Sequence, residues 1–347
     1  MNSKANDSLG PDPADTVNST DIFLNDKTTL KNSTAAAAVL NRNILKNVTS
    51  YGFPSYYPGK ARDLFESCEN VMPLNFDGIK ALSLNKLRPK YGDYEILYAH
   101  TFNVSSIKPG AYNFSALLKN NRCENVSKSV TLDLDPVNGN WNAEVGCTSR
   151  LVDSLANLQV HKWRKPIVSR VYVDYKKPNY TITGYLDPIK KFAGYQHMVA
   201  ITDRTTLGGD IKVKYKLQKE SDSFNNSYFK NIKSRILFKY SGPNYLWSAR
   251  ANILSPALKV CYYQHVSSIF QTGVTLNMNV PKRKGVTKVG LRALIKDDCL
   301  AKVAISSEGV VTCQLEKSVT DILSLSFSGL LNHKSNSFAI GVGLSME

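Results

Sequence analysis

Nucleophilic, acid–base and metal chemistry in this chain would have to come from five histidines and six cysteines, and their spacing supplies none of it. His100, His161, His197, His265 and His333 are scattered singly, with no carboxylate or cysteine at motif spacing. A general base needs a partner within hydrogen-bond reach, and a metal needs a clustered donor set. Cys68, Cys123, Cys147, Cys261, Cys299 and Cys313 contain no CxxC pair and no neighbouring histidine pattern, so they read as reduced, mostly structural thiols. Gly341-Val-Gly343 precedes no helix and is not a dinucleotide fingerprint. No enzyme activity, metal or cofactor is expected. Ionic residues do recur regularly in one way: they alternate with apolar ones. Lys212, Lys214 and Lys216 alternate with Ile211, Val213 and Tyr215. Arg235 and Lys239 sit opposite Ile236, Phe238 and Tyr240, and Lys288 and Arg292 opposite Val289 and Leu291. Asp133, Asp135 and Glu144 lie on the polar side of a similar alternation. The chemistry on offer is electrostatic, a wet wall that attracts or repels passing charge.

A period of two is the signature of strands with unlike faces. From Phe76 onward the chain reads strand, turn, strand, in about nineteen segments spaced by about 14 residues, which suits spanning strands joined by short turns. Val130, Leu132 and Leu134 lead into the turn Pro136-Val-Asn-Gly139, and Trp141, Ala143 and Val145 resume the pattern, a hairpin with its turn chemistry written out. The last strand states the architecture most plainly. Phe338, Ile340, Val342, Leu344 and Met346 form a wholly apolar face, and Ala339, Gly341, Gly343 and Ser345 a wholly small one. An open edge this greasy would recruit other chains, but it suits a strand that faces lipid and is paired on both sides. Upstream, residues 1–57 are rich in Asn, Ser, Thr, Asp and Ala and read as a disordered tail. Residues 58–75 hold a lead-in and an amphipathic helix, Lys60 to Val71, with Ala61, Leu64, Phe65 and Cys68 on one face and Pro73 ending it. Residues 76–347 form the barrel.

The formal net charge is +16 over 347 residues. Residues 1–57 hold five basic and five acidic side chains, so the excess lies in the strands. Scattered over strands, it lacks the clustered footprint of a nucleic-acid binder. The sequence shows no secretory signal, and its longest apolar run near the start, Ala35 to Leu40, is far short of the about 20 residues a spanning helix takes. Two soluble β-sandwiches would also alternate. Against them stand about 270 residues of alternation without a linker.

Short motifs, in order, carry a resemblance from about residue 57 to the end. They are Tyr57-Pro-Gly59, Pro73-Leu-Asn-Phe-Asp-Gly-Ile-Lys80, Tyr240-Ser-Gly-Pro243, Leu258-Lys-Val-Cys-Tyr-Tyr-Gln264, Ser328-Gly-Leu-Leu-Asn-His333 and Asn336-Ser-Phe-Ala-Ile-Gly-Val-Gly-Leu344. The chain resembles the family of channel-forming subunits of the mitochondrial outer-membrane protein translocase, within the eukaryotic porin superfamily. The resemblance implies an all-β transmembrane barrel of nineteen strands, first and last parallel, with the helix (Leu64, Phe65, Cys68) inside the lumen. It implies an insertion signal on the last strand at Gly341, Leu344 and Met346, with Ala339 standing where the family motif has a polar residue. It also implies a dimer, a receptor subunit and small helical subunits as partners, and precursor polypeptides as cargo. Basic presequences would then be drawn by lumenal acids, for which Asp133, Asp135 and Glu144 are the candidates. The tail is expected in the cytosol. The basic wall of Lys212, Lys214, Lys216, Arg235, Lys239, Lys288 and Arg292 instead suits an anion-preferring metabolite porin like the voltage-dependent anion channel, which is the alternative.

Overall fold

The computed structural model describes residues 57–87, 94–104, 111–123, 126–161, 165–215, 229–254, 256–281, 283–296 and 298–346. The expected disordered tail, apart from Tyr57, lies outside the described residues, as does Lys216. The chain opens with a 3₁₀ turn at Ala61–Asp63 and a short helix α1, Glu66–Val71. Both fall inside the helix expected over 60–71, but they do not form one continuous helix. Phe65, at φ −110° and ψ 3°, leaves the helical region between them.

Strands follow without interruption. They are β1 Gly78–Leu87, β2 Tyr94–Val104, β3 Ala111–Cys123, β4 Val126–Asp135, β5 Asn140–Ser149, β6 Val152–His161 and β7 Lys165–Lys176. Next come β8 Tyr180–Asp187, β9 Phe192–Ala200, β10 Thr205–Tyr215, β11 Phe229–Ser241, β12 Tyr245–Asn252 and β13 Ala257–His265. The last are β14 Phe270–Asn279, β15 Lys284–Lys296, β16 Cys299–Ser306, β17 Val310–Ser318, β18 Leu323–Asn332 and β19 Ser337–Met346. Each pairs antiparallel with its sequence neighbour, and β1 closes on β19 in parallel, from Gly78 opposite Gly341 to Ser83 opposite Met346. A nineteen-stranded sheet with both ends paired has no open edge, the only way a sheet can satisfy its backbone in lipid.

The side of the wall on which α1 lies is the inside, and it separates the two faces of every strand. Ile79, Phe338 and Ile340 point outward with 66%, 72% and 64% of their surface exposed. Exposure on that scale along a whole face would drive a soluble protein to aggregate, but it suits a lipid-facing wall. Tyr240, Tyr245, Trp247 and Tyr262 cluster on this face, with the Trp247 and Tyr262 ring centroids 4.7 Å apart. Such amphipathic rings belong at a membrane–water boundary. No described helix is long and apolar enough to cross a membrane; here the strands do so.

Candidate functional site

The lumen is organised by the segment that precedes β1. It runs around the inner wall from β7 and β8 to the β1–β19 seam. Tyr57 lies beside Thr181 on β8, and burial, reinforced by the charges of Asp153, Asp174 and Asp63, pushes its phenol up to about 12. Lys239 on β11 donates to the carbonyl of Pro58 at 3.3 Å. Further along, the Leu74 N–H donates to the Gln314 side chain on β17 and the Phe76 N–H to the Ser328 hydroxyl on β18. A six-residue helix has too few internal bonds to stand alone in water, so these wall contacts are what hold α1.

Its apolar side explains the pattern read from the sequence. Leu64, Phe65 and Cys68 are buried with Met198 of β9, Leu237 of β11 and Cys261 of β13. The Phe65 ring lies 4.1 Å from Lys259 Nζ and 5.4 Å from the Arg250 guanidinium carbon. A cation over an aromatic face is favourable, more so away from bulk water. Glu69 ties down the same Lys259 at 3.0 Å. The wall thins where the segment crosses it: a Cβ on Gly290 would lie 2.6 Å from Met72 Sδ. A larger residue there would push the flexible Met72 side chain aside.

At the opposite end the segment is held by charge. Arg62 Nη2 lies 2.6 Å from Asp174 of β7, and Lys60 bridges Asp153 of β6 at 2.5 Å and Asp174 at 3.4 Å. Lys176 adds a contact to Asp153 at 2.7 Å, and Thr183 donates to Asp174. Two more buried acids are met from the wall itself. Arg170 lies 3.2 Å from Asp187, while Arg235 and the Tyr185 hydroxyl reach Asp210 at 3.2 and 2.9 Å. Buried carboxylates need such partners, because an uncompensated charge away from water costs several kcal/mol.

The sequence-derived candidates distribute as follows. Arg235 and Lys239 face inward, one on Asp210 and the other on Pro58. Lys212 faces inward, its ammonium 3.4 Å from the Phe192 ring centroid. Lys214 follows on the same face, and Arg292 contacts Gln271 across β14 and β15, with Lys288 on the same face four residues earlier. Asp133 and Glu144 face the lumen on β4 and β5, accepting from the amides of Asn142 and Asn157. Asp135 does local work instead. Its carboxylate accepts from the Asn138 backbone and side chain and closes the β4–β5 turn. Leu344 and Met346 point to lipid, whereas Gly341 faces inward beneath Phe76, where a Cβ would lie 2.6 Å from the ring.

The sequence reading overlooked Lys60, Arg62, Asp153, Asp174, Asp187 and Asp210. A signal was present on β7, where Arg170, Tyr172, Asp174 and Lys176 recur two apart. That is the pattern that singled out Lys212. Among the described residues no group of three or more His, Cys, Asp or Glu side chains is arranged to hold a metal.

A closed wall of nineteen strands, greasy outside and ionic inside, with a short helix lying in the bore, is a membrane pore. The chain belongs to the eukaryotic porin family, whose profile matches residues 57–341. Among curated relatives it is similar to the mitochondrial import receptor subunit TOM40 homolog 2 of Drosophila melanogaster, 26% identical over 307 residues that cover 83% of each chain. It is also similar to the mitochondrial import receptor subunit TOM40 homologs of Xenopus tropicalis, at 24% identity over 83% of this chain and 84% of that one, and of Homo sapiens, at 22% over 83% and 78%.

Proposed function

We propose that this barrel is a protein-conducting channel for the import of precursor polypeptides across the mitochondrial outer membrane. The observation that carries the reading is the unbroken nineteen-stranded wall with an ionic interior, in a chain alignable with import receptor subunits over 83% of its length. Barrels of sixteen to eighteen strands already leave an aqueous bore. An extended polypeptide can slide along such a wall because side chains and water exchange hydrogen bonds at little net cost. Many wall cations are already engaged by Asp153, Asp187, Asp210, Glu69 and Pro58, which softens the repulsion that a run of lysines suggests from sequence. Asp133 and Glu144 lie on β4 and β5, where they accept hydrogen bonds from the amides of Asn142 and Asn157. They are positioned to draw a basic presequence. The channel works with a receptor subunit, small helical subunits and a second copy of itself, with its tail in the cytosol.

The test is import of a labelled precursor into mitochondria that carry only this protein as their channel. Import with transient block of reconstituted pores by presequence peptide is expected. A stable current indifferent to the peptide, with no import, would identify a metabolite porin instead.

A further inference from the structure

Cys68 and Cys261 come from elements that sequence keeps far apart, yet each is only 2% exposed and both sit in one apolar cluster. The two thiols pack within the same small cluster beneath α1. The Cys68 thiol also reaches the carbonyl oxygens of Tyr262 at 3.3 Å and Val274 at 3.4 Å, so it is wedged between β13 and β14. Both cysteines are free thiols, one on α1 and the other on the wall strand β13 beneath it. Neither is used by the conduction mechanism.

We propose that Cys68 and Cys261 form a reversible dithiol–disulfide latch that fixes the lumenal segment to the barrel wall. The thiolate is the reacting species in thiol–disulfide exchange. In the docked state both thiols are only 2% exposed beneath α1, which keeps a dissolved disulfide from reaching either of them. Reaction therefore begins when α1 lifts. Its hold is a few side-chain contacts outside the strand ladder, the kind of element that opens locally before the rest. The exposed Cys68 thiolate attacks a low-molecular-weight disulfide from the aqueous lumen, forming a mixed disulfide and releasing one small thiolate, which takes up a proton. Re-docking brings Cys261 onto the mixed disulfide. Its thiolate displaces the second small thiol, and the Cys68–Cys261 bond forms. Two protein thiols are oxidised and one small disulfide is reduced to two thiols. Reductant reverses the sequence.

The test uses the full-length reconstituted barrel treated with oxidised glutathione or with dithiothreitol. Non-reducing peptide mass spectrometry should find Cys68 joined to Cys261, in preference to Cys147, Cys299 or Cys313. Amide hydrogen exchange over residues 61–72 should slow by about tenfold or more on oxidation and recover on reduction. Cys68→Ser keeps a hydroxyl donor between β13 and β14 and should show no oxidation-dependent change; Cys261→Ser serves as the second control. Glutathione left on Cys68 without the cross-link, linkage to another cysteine, or a cross-link that leaves exchange unchanged would each overturn the latch.

Discussion

Gly341→Ala is the perturbation whose consequence can be worked most fully from the geometry. Gly341 lies opposite Gly78 in the parallel seam, with Phe76 crossing directly above its inward face. An added Cβ would lie 2.6 Å from Phe76 Cδ2, and nearer still to the Phe76 carbonyl oxygen. Relief requires a shift of about 1 Å, since non-bonded carbons settle at roughly 3.5–4.0 Å. Phe76 has little freedom to give it: its N–H is bonded to Ser328, and two residues later the chain enters the β1–β19 ladder. Overpacking of this kind typically costs about 1–3 kcal/mol, and a backbone obstacle places Gly341→Ala near the upper end. Gly343→Ala is the matched control. Its Cβ would meet the Ser326 hydroxyl, which can rotate away, and would lie 3.2 Å from Phe76 Cζ. Urea unfolding of the barrel in lipid vesicles, followed by tryptophan fluorescence, should place Gly341→Ala about 2–3 kcal/mol below the parent and Gly343→Ala within about 1 kcal/mol of it. Equal stability of parent and Gly341→Ala, or the reverse order of the two variants, would refute the packing of Phe76 across the seam.

Three further outcomes follow from which face a residue occupies. Leu344→Asp places a charge against lipid, which costs up to about 2–4 kcal/mol near the midplane for the worst cases; it should stop membrane assembly on native gels, whereas Ser345→Asp, pointing into the bore, should assemble. Lys288→Glu should move the reversal potential of single channels toward cation preference, while the adjacent Val289→Glu should fail at assembly rather than alter selectivity. Leu237→Ala removes the 2% exposed floor under Leu64 and Phe65. It should weaken the docked segment by about 2–3 kcal/mol, measured as faster protease cleavage between residues 60 and 72.

Strand faces and the barrel architecture were legible because they depend on local alternation, whereas the parallel closure of β1 on β19 came from the family resemblance. Ile211 and Lys212 declare opposite faces whatever surrounds them, and the β4–β5 turn is written in Pro136 to Gly139. The lumenal pairing was not legible. Arg62 finds Asp174 across 112 residues and Phe76 finds Ser328 across 252, and no periodicity encodes which inward acid meets which inward base. The same limit hid the reason for the small face of β19. Gly341 and Gly343 look permissive in sequence, and only the passage of Phe76 shows what they make room for. Asp135 shares the face of Asp133 by alternation, but its place beside a turn also gives its carboxylate a local partner, Asn138, which the alternation does not reveal. The inner helix was placed correctly in sequence, but tertiary contacts at Phe65 divide it where helical spacing alone suggested continuity.

The central claim is that a polypeptide passes through this bore, and neighbouring residues of β5 test it directly. Asn142 faces the lumen beside Asp133, and Ala143 faces lipid opposite Leu132. A photoreactive side chain placed at each position in turn, with a precursor arrested during import, should cross-link the precursor from position 142 and not from position 143. Cross-linking from neither, or equally from both, would contradict conduction through the barrel.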